Sequence, residues 1–336
     1  MNLASKLSAA LALGLATLLS SCGPQDPEVV VYTALDRGFS EPVFERFEQR
    51  TGIRVRPVFD VESTKTIGLV NRLRAEARSP RCDVFWNNEI VNTLALLDEG
   101  LLEPAATPTH AERFPSSYRD PAGNWFGFAA RARVLLVNTE LVPPSERPSE
   151  LRAMVDPKWR GQVAMAKPLF GTTATHMAQL RAHWGAESFE RFLQDLRTNE
   201  VQIHAGNKGV ARAVSEGRAA IGLTDTDDAI IELEAGKPVA ILLPTPPLLI
   251  PNSLARVAGA PHPEAADALI DFLLSPEVEQ SLALGPSAQI PLHPDVNIDA
   301  RVPRPTIEAL ADVDFQAASN EFDAALLSVE RILLAP

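Results

Sequence analysis

From Glu28 the chain alternates short β-branched apolar runs with stretches of helical spacing, and this alternation restricts the fold more than any other feature. VVVYTAL (29–35) reads as a buried strand, after which Ser40 and Pro42 open a helix carrying Val43, Phe44 and Phe47 on one face. IRVRPVF (53–59) alternates as a half-buried strand does, and STKTIGLVNRLRAEA (63–77) has helical spacing. CDVFW (82–86) is a buried strand, and EIVNTLALLDEG (89–100) is a helix closed by Gly100. Repeated strand, helix, strand units imply a mainly parallel sheet flanked by helices, so the spacing predicts a doubly wound α/β fold.

A second series starts near ARARVLLVNT (130–139) and runs through QVAMA, a helix over 172–184, SFERFLQDLRT, VQIHAG, a helix over 208–216 and AAIGLT. Two α/β lobes follow. The Pro-rich pieces 143–148 and 244–251 read as connectors. Beyond them lie a strand-like SLARVAG and the helices PEAADALIDFLL and PEVEQSLAL, too few for a third lobe, so the chain is expected to recross and complete the first. The expected division is a leader over 1–21, a first lobe of 28–130 plus 252–300, and a second of 131–251 plus 301–336. The terminal stretch from 303 has helical spacing and is expected to pack on the second lobe.

The leader MNLASKLSAALALGLATLLSSCG has one lysine, an apolar run from Leu7 to Leu19 and small residues before Cys22, the pattern of a secretory signal. The run is shorter than the ~20 residues a membrane span needs. Only one other cysteine exists, Cys82, so with Cys22 acylated no intrachain disulfide forms. Loss of the leader, whose only charged side chain is Lys6, takes the formal net charge from −12 to −13. Phosphate binding wants the opposite sign, which excludes a nucleic-acid partner.

GLTDTDDAI (222–230) places Asp225, Asp227 and Asp228 within four positions after the apolar run AAIGL. Carboxylates this close repel one another and call for a cation or a proton. Three hard oxygen donors suit Fe³⁺, Mn²⁺, Ca²⁺, Mg²⁺ or an amine. The same acids also suit helix capping at the start of the next helix. PLFGTTATH (168–176) opens another helix with Gly171, Thr172, Thr173 and Thr175, and a helix start favours an anion. Ser63, Thr64 and Lys65 begin a third in the same manner. Threonine and serine there are equally plain caps. Arg131 and Arg133, two apart on a strand, point to one side and suit either a bound oxyanion or an ion pair to a local acid.

In its ordered pieces the chain resembles the substrate-binding lipoproteins of bacterial ABC importers, in the ferric-ion-binding branch with two lobes and a hinge. VVVYTALDRGFSEPVFERFEQRTGIRV is similar to that family's opening strand and helix, and SPRCDVFWNNEIVNTLALLDEGLLEP to its third strand and following helix. FAARARVLLVNT is similar to the crossover strand, DPKWRGQVAMAKP to the start of the second lobe, and GAPHPEAADALIDFLLSPEVEQSLA with SAQIPLHPDV to the closing helices. Leu19-Ser20-Ser21-Cys22 resembles the lipobox that is cleaved and acylated in bacterial lipoproteins.

The resemblance implies a lipid-anchored, exported, monomeric receptor that closes on a small ligand and delivers it to an ABC permease, with no catalytic cofactor. It implies cation ligands at Asp36 and near Glu89, which stands one residue past the family position occupied here by Asn88. It further implies an anion at Gly171, Thr172 and Thr173, with Arg131 and Asn207 bordering it. Asp227 and Asp228 stand where the ferric branch has paired tyrosines, and the chain's two tyrosines, Tyr32 and Tyr118, lie elsewhere. His176, one turn into the same helix, reads as structural. Two other functions fit parts of the pattern. An organic zwitterion such as an aminophosphonate would place its amine on the aspartates and its oxyanion at Thr172 and Thr173. Asp225-Thr226-Asp227 has the DxD form of metal-dependent phosphotransferases, although Ala229 stands where that motif needs Thr or Val.

Overall fold

The computed structural model describes residues 26–60, 67–106, 108–299, 301–303, 305 and 313–335. Residues 1–21, Cys22, Ser63, Thr64 and Lys65 lie outside that set. The first half of the chain forms β1 (Glu28–Thr33), α1 (Arg37–Thr51), β2 (Arg54–Phe59), α2 (Ile67–Ala75), β3 (Val84–Asn87), α3 (Val91–Asp98) and β4 (Leu102–Glu103). The long strand β5 (Phe126–Asn138) leads to β6 (Val163–Ala166), α4 (Gly171–Trp184), α5 (Ala186–Thr198), β7 (Gln202–His204), α6 (Asn207–Ser215), β8 (Ile221–Asp225), α7 (Thr226–Glu234) and β9 (Val239–Leu242). Then follow β10 (Leu249–Val257), α8 (Pro263–Leu273), α9 (Pro276–Leu284) and α10 (Phe315–Ser328).

The fold is mixed α/β, as the alternation predicts. Strand order is β2-β1-β3-β10-β5-β8-β6-β7, with β4 on β10 and β9 on β5. Each half keeps a parallel trio, β2-β1-β3 and β8-β6-β7, while β5 and β10 run antiparallel to their neighbours and join the halves. Residues 126–132 of β5 face β10 and residues 133–137 face β8, so one unbroken strand serves both. All thirteen of its residues are buried, which explains its apolar run.

Helices cover the sheet through the faces their spacing dictates. In α1, Val43, Phe44 and Phe47 are buried, and Gly52 at φ 72 ends the helix by donating its N–H to Glu48 O. The expectation that 244–251 is a connector needs correction, because Leu249, Ile250 and Pro251 already belong to β10. Proline is tolerated there because the register slips between Ile250 and Asn252, the kind of irregularity at which a missing N–H does no harm. Helix α10 lies along α4, tied by Arg181 Nε to Glu321 at 2.7 Å, and also reaches α3 through Gln316 Nε2 to Asp98 at 3.4 Å. Among the described residues no helix is long and apolar enough to cross a membrane.

Candidate functional site

The strands of both halves end facing one another, and the loops after β3, β6 and β8 bring together most of the residues singled out from the sequence. Asp225 ends β8 directly opposite Arg133 on β5. Arg133 is fully buried and its Nη1 stands 2.6 Å from Asp225 Oδ1. Thr172 Oγ1 at 2.5 Å and Asn207 Nδ2 at 2.8 Å both donate to Asp225 Oδ2. Arg133 Nη2 also reaches Thr173 Oγ1 at 3.3 Å, and its Nε reaches His176 Nδ1 at 3.4 Å. Burial first, and the Arg133 charge second, hold His176 well below the usual imidazole range, so it stays neutral and accepts that bond.

Asp225 is therefore committed to its own chain through both oxygens. The cation beside it is a guanidinium. Asp227 is different, since its side chain is 21% exposed and lies 3.5 Å from Arg131 Nε. Its Oδ1 accepts the Asp228 N–H at 3.1 Å, and Asp228 is half-buried at the start of α7. The two arginines thus stand against two of the three crowded aspartates, which explains how so many carboxylates share one loop.

Arg131 is 3% exposed and gathers both halves of the molecule. Its Nη1 donates to Asn88 O at 2.5 Å and its Nη2 to Asn252 Oδ1 at 3.2 Å. Asn88 comes from the loop after β3, whereas Asp227 comes from the loop after β8. Glu89, next to Asn88, is fully buried and accepts from Asn87 Nδ2 at 2.7 Å, the Val91 N–H at 2.7 Å and the Asn92 N–H at 3.2 Å. It thereby satisfies the first turn of α3. A fourth bond crosses the molecule, from Thr175 Oγ1 on α4 to Glu89 Oε2 at 2.9 Å. Burial raises the Glu89 carboxyl above its ordinary range against the pull of these donors.

Gly171 takes φ 54 at the head of α4, a conformation that favours glycine, and Thr172 and Thr173 follow it in the first turn. Asn207 is the first residue of α6 and bridges Thr172, Thr173, Arg133 and Asp225. Asp36 lies exposed before α1, where its carbonyl accepts from the Ser40 hydroxyl at 3.2 Å. Among the described residues no group of three or more His, Cys, Asp and Glu side chains converges as a metal would need. Sequence reasoning missed Asn252, which carries no motif, and although Thr175 and Asn88 stood in stretches it singled out, it did not foresee the bond of Thr175 to Glu89 or that of the Asn88 carbonyl to Arg131.

A family model described as bacterial extracellular solute-binding protein matches residues 89–312. The chain belongs to that family. This solute-binding protein is 27% identical over 290 residues, 79% of each chain, to iron uptake protein A1 of Synechocystis sp.. It is 24% identical over 290 residues, 82% of each chain, to a putative 2-aminoethylphosphonate-binding periplasmic protein of Salmonella typhimurium. Its fold matches that of iron-bound HitA from Pseudomonas aeruginosa with a TM-score of 0.79 at 22% identity, covering 90% of this chain and 99% of that one. Members of the family are binding proteins, and Asp225, the first residue of the DxD pattern, is bonded to Arg133, Thr172 and Asn207.

Proposed function

We propose that this solute-binding protein is the receptor of an ABC importer and captures ferric iron, or a similarly hard cation, together with an oxyanion. The observation that carries the reading is the meeting of both signs of charge between the two halves. Asp227 and Arg131 stand 3.5 Å apart there, and Arg133 adjoins the first turn of α4. Asp227, Asp228 and Asp36 offer carboxylate oxygens to the cation, which hard cations prefer. Arg131, with Gly171, Thr172 and Thr173, takes the oxyanion, and the sequence adds Ser63 and Thr64 as further anion contacts. Asn207 borders the site. Asp225 and Glu89 act one step behind by holding these groups in place. The family relation to an iron uptake protein supports the same reading.

The receptor requires no chemistry on its cargo. The leader is removed, Cys22 is acylated, and the monomer works tethered at the cell exterior or in the periplasm beside its permease. The two lobes, 28–130 plus 252–300 and 131–251 plus 301–336, close on the ligand as hinged binding proteins do.

A second reading keeps the receptor and replaces metal with an organic zwitterion such as an aminophosphonate. It is favoured by the two buried guanidiniums, which match an oxyanion better than a bare cation. Native mass spectrometry with metal analysis on protein as purified separates the two. Iron at one per chain, lost in Asp227→Ala plus Asp228→Ala, is the expected result. A metal-free organic mass transfers the case to the zwitterion, and identical ligand content in both forms overturns the site.

A further inference from the structure

Glu279, on α9, is fully buried and takes no part in the charge cluster described above. Its carboxylate faces backbone: Oε1 accepts the N–H groups of Ala129 at 2.5 Å and Leu292 at 3.0 Å, and Oε2 accepts that of His293 at 2.5 Å. Burial pushes the carboxyl up to about 7 while the three N–H groups pull it down. Keeping an ionisable group in such a place is unfavourable unless its bonds hold something in position.

What they hold is unusual backbone. Ala129 lies inside β5 at φ 42, and Ala288, just after α9, lies at φ 44. A residue with a Cβ keeps a left-handed conformation only where its surroundings over-determine it, and such residues cluster at functional sites. Asn252 joins the two places. Its Nδ2 donates to Ala129 O and, at 2.9 Å, to Gln289 Oε1. Its Oδ1 accepts from Arg131 Nη2 at 3.2 Å. The β5–β10 register slips at this point, and Ala130, the residue after Ala129, pairs instead with Ile290 through two backbone hydrogen bonds at 2.8 and 2.6 Å, which leaves the Ala129 N–H to Glu279.

We infer that Glu279 is a positioning residue for the solute cleft, holding the Ala129 turn so that Asn252 keeps Arg131 aimed between Asn88 and Asp227. The inference rests on the proposed function only in taking Arg131 as a contact of the cargo. Without the Glu279 acceptor, the Ala129 N–H is buried without a partner and the left-handed turn relaxes. The carbonyl that orients Asn252 moves with it, and the side chain that orients Arg131 follows.

The test is a double-mutant cycle on the full mature chain, with ferric citrate as the probe and the Nε–Hε resonance of Arg131 as a second readout. That resonance is assigned by its loss in Arg131→Lys. A glutamine Oε1 could still accept the Ala129 and Leu292 N–H groups, whereas Glu279→Met keeps the length of the side chain and removes both acceptor oxygens. It is expected to weaken ferric citrate about ten-fold, the scale of coupling through a packed network, to add nothing in the Arg131→Lys background, and to move the resonance. Equal losses in both backgrounds, or an unmoved resonance, overturn the inference. If wild type does not bind ferric citrate, the proposed cargo falls and the resonance alone decides the role of Glu279. Should Glu279→Met fail to fold, Asn252→Ser breaks the same path one link nearer Arg131, and the same three results apply.

Discussion

Arg133 and Asp225 face each other across the β5–β8 ladder as a fully buried ion pair, Nη1 to Oδ1 at 2.6 Å, with Thr172 and Asn207 completing the carboxylate. Removing one partner of such a pair leaves a charge stranded away from water, which costs about 3–5 kcal/mol. Asp225→Asn is therefore expected to lower unfolding free energy by about that amount in chemical denaturation. Asp227→Asn removes a partner that is 21% exposed and 3.5 Å from the buried Arg131, which keeps its bonds to Asn88 and Asn252, so it is expected to cost less than Asp225→Asn, about 1–2 kcal/mol. Its effect appears in ferric citrate affinity, with at least about a ten-fold loss. Equal stability losses in the two variants would contradict this division of labour.

The division could not be read from GLTDTDDAI alone. The β-branched runs announced their strands because a buried strand needs apolar side chains on both faces, and α1 announced itself through Val43, Phe44 and Phe47. The spacing of Arg131 and Arg133 correctly put two cations on one strand. Which acid each one meets is decided by pairing residues some ninety positions apart, and no local pattern encodes that. Leu249 to Pro251 was hidden by its proline, and Thr175, legible as part of the start of α4, gave no sign of its partner Glu89 on the other half of the chain. The paired tyrosines of the ferric branch were legible only as an absence, with aspartates in their place.

Gly222 shows how tightly α6 is laid on β8. A Cβ built there meets Val210 Cγ1 at 2.6 Å and Val214 Cγ2 at 2.7 Å, and both valines belong to α6. Gly222→Ala is expected to destabilise the fold by about 1–3 kcal/mol, as overpacked cores do. It should also weaken cargo binding, because α6 carries Asn207 and β8 carries Asp225, joined at 2.8 Å. Gly38, exposed in α1 with nothing near its absent Cβ, is the control: Gly38→Ala should be neutral or stabilising by up to about 1 kcal/mol. A thermal melt of each variant checks both statements.

Glu279 gives stability an inverted pH dependence. Unfolded, a glutamate titrates near about 4.3, whereas in the fold this one is raised to about 7 by burial. Between those values the folded chain keeps a proton that the unfolded chain has released. Its contribution is thus greatest at low pH, declines as pH rises through the window and levels off above about 7, a span of roughly 3 kcal/mol. Glu89, also raised by burial, acts in the same direction, and His176, lowered by burial and by Arg133, acts in the opposite one. The comparison of wild type with Glu279→Gln isolates the effect. Denaturation between pH 4.5 and 7.5 should show the wild-type advantage shrinking by about 3 kcal/mol, and parallel curves would refute the assignment.

Thr175 and Glu89 make a bond that exists only while the two halves are together, since α4 supplies the hydroxyl and the loop after β3 the carboxylate. Thr175→Val keeps the volume and removes the donor, and Glu89 retains Asn87, Val91 and Asn92. A single hydrogen bond contributes about 1 kcal/mol, so the closed form of the cargo-free protein should lose about five-fold in population. Small-angle X-ray scattering would then give a larger radius of gyration for Thr175→Val than for wild type, with Thr175→Ser matching wild type because its hydroxyl remains. Cargo should leave the valine variant faster by a similar factor, since opening precedes release and the variant opens more readily. Scattering curves that superimpose for wild type and Thr175→Val would mean that closure is held elsewhere, and that the Glu89 carboxylate serves α3 alone.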